Sequence, residues 1–112
     1  MKPISTLYRG VMAKDGSLVV TVDGQMLSYR FDLRNHSPTG FAHGYSGSGP
    51  AQLSLAICAD FLDDDRRALA VYQPFKFRII AQLTMGRPWT LTGAQVADVV
   101  EVLEDEMKGR TR

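Results

Sequence analysis

Apolar positions in the first third of the chain recur at every second residue. Leu18, Val20 and Val22 alternate with Val19 and Thr21, and Leu27, Tyr29, Phe31 and Leu33 alternate with Ser28, Arg30 and Asp32. A period of two sends successive side chains to opposite faces of a sheet, so these stretches predict two strands. A first strand is expected over residues 4–12, ended by the turn cluster Lys14-Asp15-Gly16-Ser17. Asp23-Gly24 separates the next two strands, and that pair favours a type I′ hairpin because both central residues need positive φ. The result is a meander of three antiparallel strands.

The period then changes. Residues 50–62 are rich in Ala and Leu, with only Gln52, Ser54 and Asp60 polar, which predicts a helix buried on most sides. Asp63-Asp64-Asp65 supplies a cap and first-turn acids for a second helix through Tyr72, with Pro74 as its expected end. Phe77, Ile79, Ala81 and Leu83 return to period two and predict a fourth strand over residues 76–83. Thr92-Gly93-Ala94-Gln95 has the capping-box form, and Val96, Val99, Val100, Leu103 and Met107 follow at helical spacing against an acidic face. The expected fold is α+β, an antiparallel four-stranded sheet with three helices in the order β-β-β-α-α-β-α. It occupies residues 1–107 as one domain, followed by a frayed basic tail over 108–112.

Composition narrows the function classes. With 112 residues, 45% hydrophobic and 22% charged, the chain has the make-up of a folded domain and not of a disordered segment. A net charge of +1 excludes attraction to nucleic acid or anionic membrane through the whole-protein field, so any such contact must come from a local patch. No leader pattern opens the chain and no apolar run is long enough to span a membrane, which predicts a cytoplasmic protein without a membrane partner. The single cysteine, Cys58, lies in the apolar helix and reads as a small core residue.

The candidate chemistry concentrates in residues 40–53, where four glycines and the aromatics Phe41 and Tyr45 run into the first helix. Pro50 suits the first helical position, and Gly47 or Gly49 is expected to hold positive φ. Gly47, Ser48 and Gly49 before a helix offer an anion contact as the alternative to a purely structural role. No Lys-Ser/Thr follows the last glycine as a P-loop requires, and Ser46 and Ser48 lack the Gly-x-Ser-x-Gly spacing of a nucleophile elbow. His36 and His43 are the only histidines, too few with Cys58 for a metal site, and His36 is expected to serve as a hydrogen-bonding residue. Neither a catalytic set, a metal nor a cofactor is expected.

A second constellation is basic. If the apolar residues of the strands face the helices, Arg30 and Arg78 face the other way, and Arg9 joins them. An antiparallel sheet with helices on one side leaves its other face to water or to a partner. Arg9, Arg30 and Arg78, with Val19, Thr21 and Ile80, then form a mixed cationic and apolar surface, and Phe41 and Tyr45 are the natural anchors for a protein partner.

The chain resembles a family of small bacterial and phage proteins that carries no assigned function. The residues behind the resemblance are Tyr8-Arg9-Gly10, the run from Asp32 to Phe41, the stretch Gly44-Tyr45-x-Gly47-Ser48-Gly49-Pro50-Ala51-Gln52-Leu53, Tyr72-Gln73-x-Phe75-Lys76 and Trp89-x-Leu91-Thr92. The resemblance implies a phage or mobile-element setting. The expected function is a non-catalytic binding protein that occupies a host protein or protein–nucleic-acid complex, such as a CRISPR effector of a defence system, and inhibits it. Two alternatives stand beside it. One is a small enzyme or ligand-binding domain using the Gly44–Gly49 loop, with His36 or Tyr45, on an anionic substrate. The other is a nucleic-acid-binding module, whose duplex contact through a few arginines would collapse between about 50 and 200 mM salt.

Overall fold

Asp23 and Gly24 take φ of 47° and 83°, the two positive values that their turn type demands. The computed structural model describes residues 1–110. In it β1 (Leu7–Met12) pairs antiparallel with β2 (Leu18–Val22), with Tyr8 opposite Val22 and Met12 opposite Leu18. Beyond the turn, β3 (Gln25–Met26) pairs with β2, and β4 (Trp89–Thr92) pairs with β1 so that Gly10 lies opposite Trp89. The sheet runs β3-β2-β1-β4 and is antiparallel throughout. Its inner face carries Tyr8, Leu18, Val20, Val22, Trp89 and Leu91, all buried. Gly10 is required there, because a Cβ would fall inside the Trp89 indole.

The helices are α1 (Ser48–Leu62), α2 (Asp65–Arg78) and α3 (Gly93–Arg110), with a 3-10 turn over Ile80–Gln82 after α2. The α+β class and the order β-β-β-α-α-β-α are therefore as expected. Every residue of α1 from Gly49 to Ala59 is buried, the mark of a helix enclosed on all sides. Leu53, Leu55, Ile57 and Phe61 are fully buried, and each such side chain contributes roughly 1.5–3 kcal/mol. Asp64 caps α2 by accepting from Arg67 N at 3.1 Å, and Asp63 closes α1 in a left-handed conformation with φ 50°. The capping box holds as well: Gln95 Oε1 accepts from Thr92 N at 2.8 Å, and Gln95 N donates to Thr92 Oγ1 at 3.2 Å. Among the described residues no helix is long and apolar enough to cross a membrane.

Several boundaries differ from expectation, each for a physical reason. The first strand starts at Leu7 because Thr6 N bonds Pro3 O and turns the chain before it. The strand expected over 27–33 does not form. Arg30 has φ 56°, which breaks extension, and the carbonyls of Tyr29 and Arg34 are taken by the Gln52 side chain instead of a ladder. The fourth strand is at 89–92 and not at 76–83. Pro74 sits inside α2, where its missing N–H frees only the carbonyl of exposed Ala70, and Ala68, Val71, Tyr72 and Phe75 keep the helix on the core. The basic tail is partly helical, since α3 runs through Lys108 and Gly109 to Arg110; Thr111 and Arg112 lie outside the described residues.

Candidate functional site: a groove between three turns

The glycine-rich loop is one wall of a groove of about 280 Å³. The other walls are the β1–β2 turn, through Gly16 and Ser17, and the turn before β4, through Met85 and Gly86. Phe41, His43 and Tyr45 line it from the loop, and Met12 and Leu18 from the sheet. No lining residue is charged. Tyr45 and Met85 are exposed at 45% and 62%, so two large apolar groups stand where a ligand would meet them.

Backbone geometry explains the loop's glycines. Gly40 and Gly44 have φ of 128° and 86°, values a side chain disfavours. Gly44 N donates to Ile80 O at 3.0 Å, and a Cβ on Gly44 would lie 2.7 Å from the Met85 backbone, so this glycine lets two walls touch. Gly47 and Gly49 do not hold the expected positive φ. Gly47 is the extended N-cap of α1, and Gly49 admits Ala42, whose Cβ would be 2.6 Å from an added one. Pro50 consequently falls third in the helix, still within the turn whose N–H groups lack helical acceptors; the first such bond is Ala51 N to Gly47 O at 3.0 Å.

Both histidines are committed to internal contacts. His43 is buried, meets Trp89 edge-on at 6.2 Å between centroids, and donates from Nε2 to Thr84 O at 3.0 Å. His36 Nε2 lies 2.7 Å from the Tyr72 hydroxyl, which also accepts from Gln73 Nε2 at 3.3 Å. The rings are thus structural ties in two separate places and do not converge. Burial pushes the Cys58 thiol well above its ordinary value, and a thiol held protonated is neither nucleophile nor ligand. Burial, and next the hydrogen bond to Asp60 Oδ2 at 2.7 Å, likewise push the Tyr8 phenol up.

The expected basic face is not assembled. Arg9 alone is on the outer face of the sheet, exposed between Thr21 and Thr90. Arg30 is in the loop after β3 and bridges Asp32 at 3.0 Å and Asp65 at 2.9 Å. Arg78 ends α2 and meets Glu106 at 3.2 Å. Ile80 is buried, whereas Val19 and Thr21 are half-exposed as anticipated. Lys76 and Arg78 lie on a helix and not on the expected strand, because Ala68, Val71, Tyr72, Phe75 and Ile79 recur at three- and four-residue steps and carry the helix past the start of the alternation over residues 77–83. Of the expected anchors, Tyr45 is exposed, and Phe41 is buried beneath Tyr29 with ring centroids 4.3 Å apart.

Two parts of the site escaped sequence reasoning. Met85 enters because residues 84–87 form a turn, closed by Arg87 N donating to Thr84 O at 3.2 Å with Gly86 at φ 76°. Gly86 and Pro88 are its sequence signal, overshadowed by the alternation over 76–83. Gln52 fixes the loop entry: its Oε1 accepts from His36 N at 2.8 Å and Ser37 N at 3.4 Å, and its Nε2 donates to Tyr29 O at 2.6 Å and Arg34 O at 3.0 Å. It is fully buried, and no local pattern marks a polar residue in an apolar helix as such a hub.

Neither a curated protein nor a solved structure matches the chain. A family model does match, over residues 8–102 and hence from β1 into α3, and the chain belongs to that family of unknown function, DUF6166.

Proposed function

We propose that this protein is a non-catalytic binding module that holds a protein partner in the groove between its three turns. One observation carries the reading: an uncharged groove of about 280 Å³ with Tyr45 and Met85 exposed at its mouth. Aromatic side chains and methionine are enriched in protein interfaces, and exposed ones beside a preformed depression act as anchors. The volume is just below the range of roughly 300–1,000 Å³ that small-molecule sites occupy, which favours one or two side chains over a cofactor. Under this reading the glycines keep the walls close and His43, through Thr84 O, braces them.

The resemblance to small phage and bacterial proteins extends the proposal to a setting, in which the partner is a component of a host defence complex such as a CRISPR effector. Affinity capture from host lysate with wild type and with a Tyr45→Ser, Met85→Ser variant tests the binding reading. The partner is expected with wild type and absent with the variant, at unchanged melting temperature. Recovery of the same partner by both proteins would remove the groove from consideration. Loss of plasmid or phage interference on expressing the wild-type chain alone tests the defence setting.

A further inference from the structure

The groove itself is neutral, but two of the turns that wall it carry cations. Lys14 precedes Gly16 in the β1–β2 turn, and Arg87 follows Gly86 in the turn before β4. Both are exposed, and neither has an ion-pair partner among the described residues. They differ in this from Arg30, Arg67 and Arg78, each of which meets a carboxylate. The one acid in the same turns, Asp15, is exposed; it accepts from Ser17 N at 2.9 Å and Ser17 Oγ at 2.6 Å within its own turn and forms no ion pair with Lys14 or Arg87. Most other carboxylates lie in the 63–65 run and along α3, and Asp23, Asp32 and Asp60 are likewise outside these two turns. An uncharged depression whose walling turns each carry a cation without an ion-pair partner, within two residues of the lining, is complementary to an apolar side chain with acidic neighbours.

We infer that the groove's occupant is a linear protein segment that inserts an aromatic or long aliphatic side chain between Tyr45 and Met85 and sets flanking carboxylates against Lys14 and Arg87. This rests on the binding reading above and adds the partner's chemistry. The insertion supplies the apolar contact, in which methionine adapts to the entering group. The cations select sign and speed encounter, as charges at the edge of an interface do. A nucleic acid would satisfy Lys14 and Arg87 but would leave the groove without an apolar occupant.

The test uses the full chain with isotope-labelled methionine methyl groups and three short synthetic peptides: a central phenylalanine flanked by glutamates, the same flanked by lysines, and a glutamate peptide with glycine at its centre. The first is expected to shift the Met12 and Met85 methyl signals, while the other two leave them in place. Lys14→Glu with Arg87→Glu is expected to weaken the first peptide about tenfold and to admit the lysine-flanked one. Equal binding of both phenylalanine peptides overturns the charge selection and leaves the groove reading standing. No shift from either phenylalanine peptide overturns both. Binding of the glycine peptide as tight as the first, or its displacement by duplex DNA at about 200 mM salt, makes the occupant a polyanion and overturns the inference.

Discussion

The segment between β3 and α1 is held by two different means along its length. Residues 28–37 are tied to α1 by one buried side chain, since Gln52 bonds the backbone at Tyr29, Arg34, His36 and Ser37. Residues 39–46 have no such hub. Their course is set by Gly40 and Gly44 at positive φ, and by backbone contact of Gly44 with Ile80 and Met85. The first stretch consumes its polar groups internally. The second takes its shape from the main chain and leaves the Tyr45 side chain free. The stack of Phe31 and Tyr29 at 5.1 Å, and of Tyr29 and Phe41 at 4.3 Å, joins the two. In the second stretch Phe41 and His43 are still buried, and Tyr45 is the large side chain left at the surface.

The sharpest way to break this comparison is Gln52→Leu. It keeps roughly the volume but strands two N–H groups and two carbonyls, and an unsatisfied buried polar group costs about 1–3 kcal/mol. We expect a loss of at least about 3 kcal/mol in urea unfolding; a loss below about 1 kcal/mol would mean that other groups or water hold the first stretch.

Gly44→Ala addresses the second stretch. At φ 86°, with the Met85 backbone 2.7 Å from an added Cβ, it should cost about 2–3 kcal/mol. Gly86→Ala is the control, because φ is 76° but the space is open, and only the conformational cost of about 1–2 kcal/mol applies. Equal unfolding energies for the two variants would show that the groove walls do not press on each other.

Acid provides a smaller and local effect. Hydrogen bonds from Arg30 hold the Asp32 carboxyl below its ordinary value. A depressed folded pKa contributes stability above the unfolded value, near pH 3.9, and that contribution is lost as pH falls through the folded value. Amide exchange over residues 30–34 is therefore expected to speed up below about pH 4, relative to residues 40–46, beyond the intrinsic pH dependence. Asp32→Asn should abolish the difference; equal behaviour of both stretches in wild type would show that the Arg30 bridge orders nothing.

Tyr45→Ser should affect folding least. The side chain is exposed at 45%, and surface changes of this kind stay within about 0.5 kcal/mol. Partner capture should nevertheless disappear. A melting temperature several degrees lower would place Tyr45 with the structural residues of the first stretch.

Local pattern was sufficient for much of this molecule. The Asp23-Gly24 hairpin, the β1–β2 pairing, the enclosed first helix, the Asp64 cap and the Thr92–Gln95 box follow from residues within a few positions of one another, and the class and order of elements follow from them. The exposure of Tyr45 follows in the same way, since it sits in a glycine-rich stretch that no helix or strand absorbs.

Tertiary contact decided the rest. Whether residues 76–83 were strand or helix depended on burial of Val71, Tyr72 and Phe75 against α1, which outweighed the hydrogen bond lost at Pro74. Residues 27–33 alternate like a strand, yet the carbonyls of Tyr29 and the following Arg34 met Gln52, 23 and 18 positions away. The arginines scattered because Arg30 fell in a loop and Arg78 on a helix, where distant carboxylates then met them: Asp65 for Arg30 and Glu106 for Arg78. The groove is the extreme case, since its walls come from residues 12–18, 39–45 and 85–86. Sequence periodicity reports which face of an element is apolar; which elements then meet is settled only when the whole chain packs.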